Sequence, residues 1–105
     1  MKIYEFSKDG TTGFNFVFDK DLAAGEQIIV KMPPVSANKR GINDIGWMSD
    51  GNNVKLEGTL AKNPASDKAL WQEIRDYDDV NKVTSAIRIT NNGLACRIEI
   101  RAIFY

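Results

Sequence analysis

The sequence predicts an all-β fold, an antiparallel β-sandwich of about seven or eight strands with one short helical turn. Two observations carry this prediction. Apolar residues alternate with polar ones over several short segments, which is the period of a strand that buries one face. Clusters of Gly, Pro, Asn, Asp and Ser separate these segments at fairly regular spacing. We expect one β-sandwich domain over residues 1–105, with a small barrel as the alternative architecture.

Three strands are predicted in the first part of the chain. The first two bury aromatic or apolar side chains at every second position, Tyr4 and Phe6 in one and Phe14, Phe16 and Phe18 in the other. We expect these two strands to be neighbours. A third strand over residues 27–32 ends at Pro33, because proline cannot donate to a β-ladder. The stretch from Pro33 to Asn43 has little to bury and predicts an exposed loop or arm.

A two-residue Asp50-Gly51 turn predicts the first of two β-hairpins. The second strand of this hairpin would continue to Leu60, with even-numbered residues on the apolar face. The odd-numbered residues Lys55, Glu57 and Thr59 would face water. The pairing gathers the apolar residues on one face, with Trp47 opposite Val54 and Ile45 opposite Leu56. We therefore expect Trp47 to lie in the core.

Asn92-Gly93 predicts a second hairpin with a type I′ turn, between a strand over residues 83–90 and a long last strand over residues 94–105. The expected register places Ile89 opposite Cys96 and Ile87 opposite Ile98, which again collects the apolar side chains on one face. Cys96 is then expected to be a buried, unreactive thiol.

Between the two hairpins, the segment from Asn63 to Tyr77 carries mixed signals. Pro64 suits the first turn of a helix, Ser66 or Asp67 could cap one, and Leu70 with Ile74 has helical spacing. We predict a helical turn over residues 67–70. Whether the chain from Trp71 to Ile74 is helix or strand stays open.

Composition excludes several function classes. Lys plus Arg equals Asp plus Glu, so no overall field favours nucleic acid or an anionic membrane as a partner. No apolar run has the length of a membrane span, and the first residues resemble a strand rather than a signal peptide. We expect the protein to be made in the cytoplasm.

The chain contains no histidine and one cysteine. This removes Ser-His and Cys-His nucleophile pairs, the usual general base and the commonest zinc ligand. The acidic stretch with Asp76, Asp78, Asp79 and Asn81 lacks the glycine and closing glutamate of a calcium loop, so a solvated loop is favoured. We expect no enzymatic activity, no catalytic residue, no metal and no cofactor.

Candidate interface residues lie on the polar face of the predicted C-terminal hairpin, where Arg88, Arg97 and Arg101 accompany Glu99. The expected register puts Arg88 opposite Arg97, and two like charges in cross-strand contact need an offset. Glu99 and solvent screening supply the simpler offset. The alternative is a carboxylate or phosphate from a neighbouring subunit, which guanidinium groups bind bidentately.

Two apolar residues, Ile103 and Tyr105, lie on the otherwise polar face of the last strand. Such a pair is expected to cover a sheet edge or to enter an interface between chains. Trp71 is the candidate glycan contact, because an exposed indole can stack on a pyranose ring and Gln72, Glu73, Asp67 and Lys68 could line a polar site beside it.

A resemblance to a known class of proteins covers the second half of the chain. The string Val54-Lys55-Leu56-Glu57-Gly58-Thr59-Leu60, followed by Asn63-Pro64 and Trp71-Gln72-Glu73-Ile74, resembles small β-sandwich proteins associated with tailed-phage virions. The strands Ala86-Ile87-Arg88-Ile89 and Ile98-Glu99-Ile100-Arg101-Ala102 resemble the closing strands of such domains. Similar strings occur in carbohydrate-binding sandwiches and discoidin-like domains, and the first half matches none of these families.

The resemblance implies a non-enzymatic structural module, a capsid-decoration or tail component of a phage particle. Its expected partners are further copies of the chain in a homo-oligomer, often a trimer in such families, and other virion proteins. The alternative function is a carbohydrate-binding module that uses Trp71.

Overall fold

The computed structural model describes residues 2–8, 15–32, 42–75 and 84–104. The predicted all-β class is confirmed, since these ranges contain strands, turns and no helix. Accordingly, no helix in them is long and apolar enough to cross a membrane. The strands are β1 (Lys2–Glu5), β2 (Ser7–Lys8), β3 (Asn15–Leu22), β4 (Gln27–Lys31), β5 (Ile42–Ser49), β6 (Val54–Thr59), β7 (Trp71–Glu73), β8 (Ala86–Asn91) and β9 (Cys96–Phe104).

The strands form two sheets. A five-stranded sheet has the order β1-β4-β8-β6-β7, and a four-stranded sheet has the order β2-β3-β9-β5. All pairings are antiparallel except that of β1 with β4. The inner faces of both sheets contribute to one apolar cluster that includes Phe16, Phe18, Leu22, Ile28, Val30, Leu56, Ile87, Ile89, Ile98, Ile100 and Ala102. Burial of these side chains supplies the main favourable term in folding.

The prediction of a C-terminal hairpin at Asn92-Gly93 is wrong. Strand β8 pairs with β4 and β6 in one sheet, whereas β9 pairs with β3 and β5 in the other. A type I′ turn needs positive φ at both central residues, and within the described ranges only Gly25 has positive φ. The apolar residues of the two strands therefore meet across the sandwich rather than side by side.

Asn91 explains how the chain leaves β8 without turning back on itself. This side chain is fully buried, and its Nδ2 donates to the carbonyl oxygens of Ala23 (3.0 Å) and Leu94 (2.9 Å). Its Oδ1 accepts from the backbone N–H of Gly93 at 3.0 Å. A buried amide with three backbone partners fixes the crossing between sheets, because breaking any of these bonds would leave a buried polar group unpaired.

The hairpin predicted at Asp50-Gly51 is wrong for the same reason, since β5 and β6 also belong to different sheets. Gly51 is required there for close packing and not for a hairpin turn. A Cβ added at Gly51 would lie 2.7 Å from Cys96 Sγ, so the backbone passes too close to β9 for any side chain. Cys96 is half-buried rather than buried, and it packs against the edge of the core, as does the half-buried Trp47.

The segment from residue 2 to residue 8 is divided between the sheets. Strand β1 lies beside β4, so the predicted pairing of the strand that carries Tyr4 with the phenylalanine strand is wrong. The strand beside β3 is β2, in the stretch that was expected to form the turn. The ring of Tyr4 reaches Phe18 across the sandwich, with 5.8 Å between centroids. Aromatic residues thus join the two sheets where the chain crosses between them.

The helical turn predicted over residues 67–70 is replaced by two consecutive β-turns. Backbone bonds run from Ser66 N–H to Asn63 C=O (3.1 Å) and from Ala69 N–H to Ser66 C=O (3.2 Å). The side chains of Asn63 and Ser66 each accept a bond from the backbone N–H two residues later. These local bonds compete with a helix and favour turns. The chain from Trp71 to Glu73 is strand β7.

Two further expectations fail at the end of β6. Glu57 and Thr59 were expected to face water, but both are buried, while Leu60 lies just beyond the strand and is exposed. Residues 33–41 of the predicted arm lie outside the described ranges, and the arm's last two residues, Ile42 and Asn43, are the first two of β5. The acidic stretch at residues 76–81 also lies outside the described ranges.

Candidate interaction surfaces

The outer face of the five-stranded sheet carries an ion pair between a buried carboxylate and a half-buried arginine. Register pairs Glu57 of β6 with Arg88 of β8, so both side chains leave the sheet on the same side. Arg88 Nε donates to Glu57 Oε1 and Nη2 donates to Oε2, both at 3.0 Å. This parallel, two-bond geometry is the strongest arrangement available to arginine and a carboxylate. Only 24% of the Arg88 side chain and 11% of the Glu57 side chain are exposed.

Trp71 lies beside this pair. The Arg88 guanidinium carbon lies 4.5 Å from the centroid of the indole, which is cation–π distance. Strand β7 brings the ring there because Trp71 pairs with Thr59 and Glu73 pairs with Glu57 on the neighbouring strand. Arg88 therefore has two intramolecular partners, a carboxylate and an aromatic ring. We call Glu57, Trp71 and Arg88 the capped ion pair.

A depression of about 560 Å³ lies next to the capped ion pair. Its lining combines apolar and polar side chains, among them Leu60, Lys68, Leu70, Trp71 and Gln72. Leu70 is 87% exposed, and Trp71 is half-buried. Of the four expected neighbours of Trp71, Lys68 and Gln72 line the depression, whereas Asp67 and Glu73 do not. Because Arg88 lies over one face of the indole, only the remainder of the ring is available to a ligand.

The outer face of the four-stranded sheet carries the other two predicted arginines. Arg97 donates from Nη2 to Asp19 Oδ2 on β3, and Arg101 Nε donates to Glu99 Oε1 at 2.8 Å. The hydrogen bond that Arg97 donates to Asp19 is the largest cause that raises the pKa of the Arg97 guanidinium. The negative charges of Asp19, Asp21 and Glu99 raise this pKa further. Glu99, the expected offset for the charges of Arg88 and Arg97, accepts a hydrogen bond from Arg101, and its charge also contributes to the raised pKa of Arg97.

The predicted contact between Arg88 and Arg97 is wrong, because these residues belong to different sheets. Arg97 is instead opposite Asp21 of β3. Each of the three candidate arginines thus has a carboxylate partner within the chain. The backbone of Ile103 pairs with Asn15 and Asp44, its side chain lies outside the described part, and so does Tyr105.

Strand β5 is an edge strand, here also called a rim strand, of the four-stranded sheet, and among the described residues it pairs only with β9. It is 8 residues long, whereas the other rim strands β1, β2 and β7 have 4, 2 and 3 residues. Met48 on β5 is 79% exposed. A smaller depression of about 210 Å³ lies beside it, lined by Gly46, Trp47, Met48, Glu99 and Arg101. A long rim strand presents unpaired backbone groups that can pair with another chain.

Sequence reasoning missed two residues at these surfaces. Glu57 was assigned to solvent because it alternates with apolar residues, yet a carboxylate paired with arginine can be buried on an outer face. Met48 was not among the predicted interface residues. The sequence signal for Met48 was the absence of charge and proline from residue 45 to residue 49.

Comparison of the chain with protein-family models, curated proteins and solved structures finds no match. Across the described ranges, no group of three or more His, Cys, Asp or Glu residues is arranged to hold a metal ion.

Proposed function

We propose that this chain is a non-enzymatic structural module that acts by self-assembly and protein–protein contact, as a capsid-decoration or tail component of a phage particle does. The main observation behind this proposal is the exposed edge strand β5. Natural sheets shorten, charge or cover their edges to prevent pairing, and β5 is long and uncharged from residue 45 to residue 49. The phage context rests on the resemblance of the second half of the chain to virion-associated sandwiches.

The arginines contribute less to this proposal than their sequence pattern suggested. Arg88, Arg97 and Arg101 are each bonded to a carboxylate of the same chain, so none requires a carboxylate or phosphate from a neighbouring subunit. We therefore assign assembly to the rim of the four-stranded sheet rather than to an arginine cluster.

Solution mass tests self-assembly. Light scattering after size exclusion, over a series of loading concentrations, is expected to give a mass that rises above the 11.7 kDa of one chain. A mass that stays at one chain at every concentration would contradict the proposal.

Carbohydrate binding is a second candidate, favoured by the depression that Trp71 shares with Lys68 and Gln72. Stacking would use the part of the indole that Arg88 does not cover. A glycan that binds there is expected to change tryptophan emission in the Trp47→Phe variant, in which Trp71 is the sole indole. The Trp71→Ala variant is expected to lose binding in a direct assay. A glycan screen that leaves the emission of Trp47→Phe unchanged would remove this candidate.

A further inference from the structure

The backbone groups on the edge of β5 that faces no other described strand can be identified from the contacts of β5 with β9. Arg97 C=O accepts from Ser49 Oγ at 2.7 Å, and Arg97 N–H donates to Asp50 Oδ1 at 2.8 Å. The backbone of Arg97 therefore points toward β5. Since backbone direction alternates along an antiparallel strand, Glu99 and Arg101 also point toward β5.

The register partners of Glu99 and Arg101 are Met48 and Gly46. Their backbone groups are consequently used within the sheet, and those of the alternate residues Ile45, Trp47 and Ser49 point away from it. This free stretch is bounded on one side by the register shift between Ile42 and Asp44 and on the other by the end of the strand at Ser49. Within this stretch the register with β9 has no irregularity, and the sequence has no lysine or proline that would block pairing with a further strand.

The outer face of β5 is complementary in shape to the same face of a second copy of the strand. Met48 projects into solvent, and two positions away Gly46 has no side chain and lines the depression of about 210 Å³. In an antiparallel pair about a two-fold axis, residues directly opposite lie on the same face. An axis through Trp47 sets each Met48 opposite the Gly46 of the other copy. Methionine is suited to such a gap because its unbranched side chain adapts to irregular space.

We propose that β5 pairs antiparallel with β5 of a second copy of this chain about a two-fold axis at Trp47, which joins the two four-stranded sheets. Ile45 is then opposite the second copy's Ser49, and Trp47 is opposite its counterpart. Each of these hydrogen-bonded pairs uses both backbone groups of its residues. The inference rests on the proposed self-assembly and specifies the surface that carries it.

The pair is expected to be weak. Standard interfaces involve roughly 20 to 30 residues on each side, and a strand of 8 residues is well below that size. Pairing should therefore depend on protein concentration, and higher assembly would require additional surfaces.

Amide hydrogen exchange of the unmodified protein, at a dilute and a concentrated condition, tests the inference by residue. The amides of Ile45, Trp47 and Ser49 should exchange roughly tenfold more slowly once about nine chains in ten are paired. The amides of Gly46 and Met48 are bonded to β9 already and should change much less. As a control, Leu94 is exposed and lies between β8 and β9, and its amide is expected to exchange at the same rate in both conditions.

A charged variant gives an independent readout. Met48→Lys is expected to shift the mass–concentration curve toward one chain, because a lysine on the edge opposes pairing. Leu94→Lys is the matched control, since Leu94 is similarly exposed at 85% and belongs to the loop before β9 and not to β5. It should leave the curve unchanged.

The outcomes separate the two proposals. An oligomer whose amides at 45, 47 and 49 gain no protection would leave self-assembly intact and overturn pairing through β5. A mass of one chain at all concentrations would overturn both. If the amides of Gly46 and Met48 exchange more slowly at high concentration instead, the assignment of outward-pointing backbone groups to Ile45, Trp47 and Ser49 is wrong.

Discussion

Two arginine–carboxylate pairs on opposite sides of the sandwich have the same chemistry and different surroundings. In the capped ion pair, 24% of the Arg88 side chain and 11% of the Glu57 side chain are exposed. In the pair of Arg97 with Asp19, the corresponding values are 58% and 35%. Removing one partner of a buried pair leaves an uncompensated charge in a poorly solvated place, whereas water replaces a partner at the surface. Only the capped ion pair is therefore expected to affect stability strongly.

The largest effect is expected from Arg88→Ala. The substitution leaves the Glu57 carboxylate buried without its bidentate partner, although Lys55 Nζ remains 3.9 Å away. We expect the free energy of unfolding to fall by about 3 kcal/mol, measured by urea denaturation. The double variant Glu57→Leu with Arg88→Met should recover most of this loss, because neither charge is then buried. A double variant as unstable as Arg88→Ala would show that the loss comes from packing and not from the buried carboxylate.

A smaller effect is expected from Trp71→Ala. The ring lies over the Arg88 guanidinium and shields the pair from water, so its removal should lower the free energy of unfolding by about 1 to 2 kcal/mol. Trp71→Phe should retain part of the interaction. Trp71→Ala in an Arg88→Met background is expected to lower the free energy of unfolding by less, since no cation then lies against the ring. Equal costs in the two backgrounds would mean that Trp71 acts by packing alone.

The smallest effect is expected from Arg97→Ala, the exposed counterpart of Arg88→Ala. Its urea midpoint should agree with that of the unmodified protein within experimental scatter, at low and at high salt. A destabilisation comparable with that of Arg88→Ala would remove the distinction between the two sides of the sandwich.

Much of the fold could be predicted because alternation reports burial directly. Ile87, Ile89, Ile98 and Ile100 were assigned to an apolar face, and all four are fully buried. The all-β class follows from the same pattern. Alternation does not report which strand lies beside which, since residues that share an apolar face are buried equally well by a neighbouring strand or by the opposite sheet.

Both hairpin errors have this origin. Asn-Gly and Asp-Gly favour tight hairpin turns in local terms, yet here they lie where the chain passes from one sheet to the other. The competing interactions are long-range. They include the bonds of Asn91 to Ala23 and the approach of Gly51 to Cys96, and nothing near those residues in the sequence indicates them.

The candidate sites depend even more on the tertiary structure. Trp71 was identified from its residue type, and its depression with Lys68 and Gln72 follows from short-range neighbours. Its contact with Arg88 was not foreseen, nor was the pairing of Arg88 with Glu57. These three residues come from three different strands, whose order in the sheet no local pattern encodes.

By itself, the sequence determined the all-β class, the buried face of most strands, and the absence of histidine chemistry. Only the tertiary structure decided which strands are neighbours, which arginine is bonded to a buried carboxylate, and that β5 lies at an edge of its sheet. The physical reason is that burial depends on the period of side chains along one strand. Pairing and exposure at an edge depend instead on the sum of contacts between segments distant in the chain.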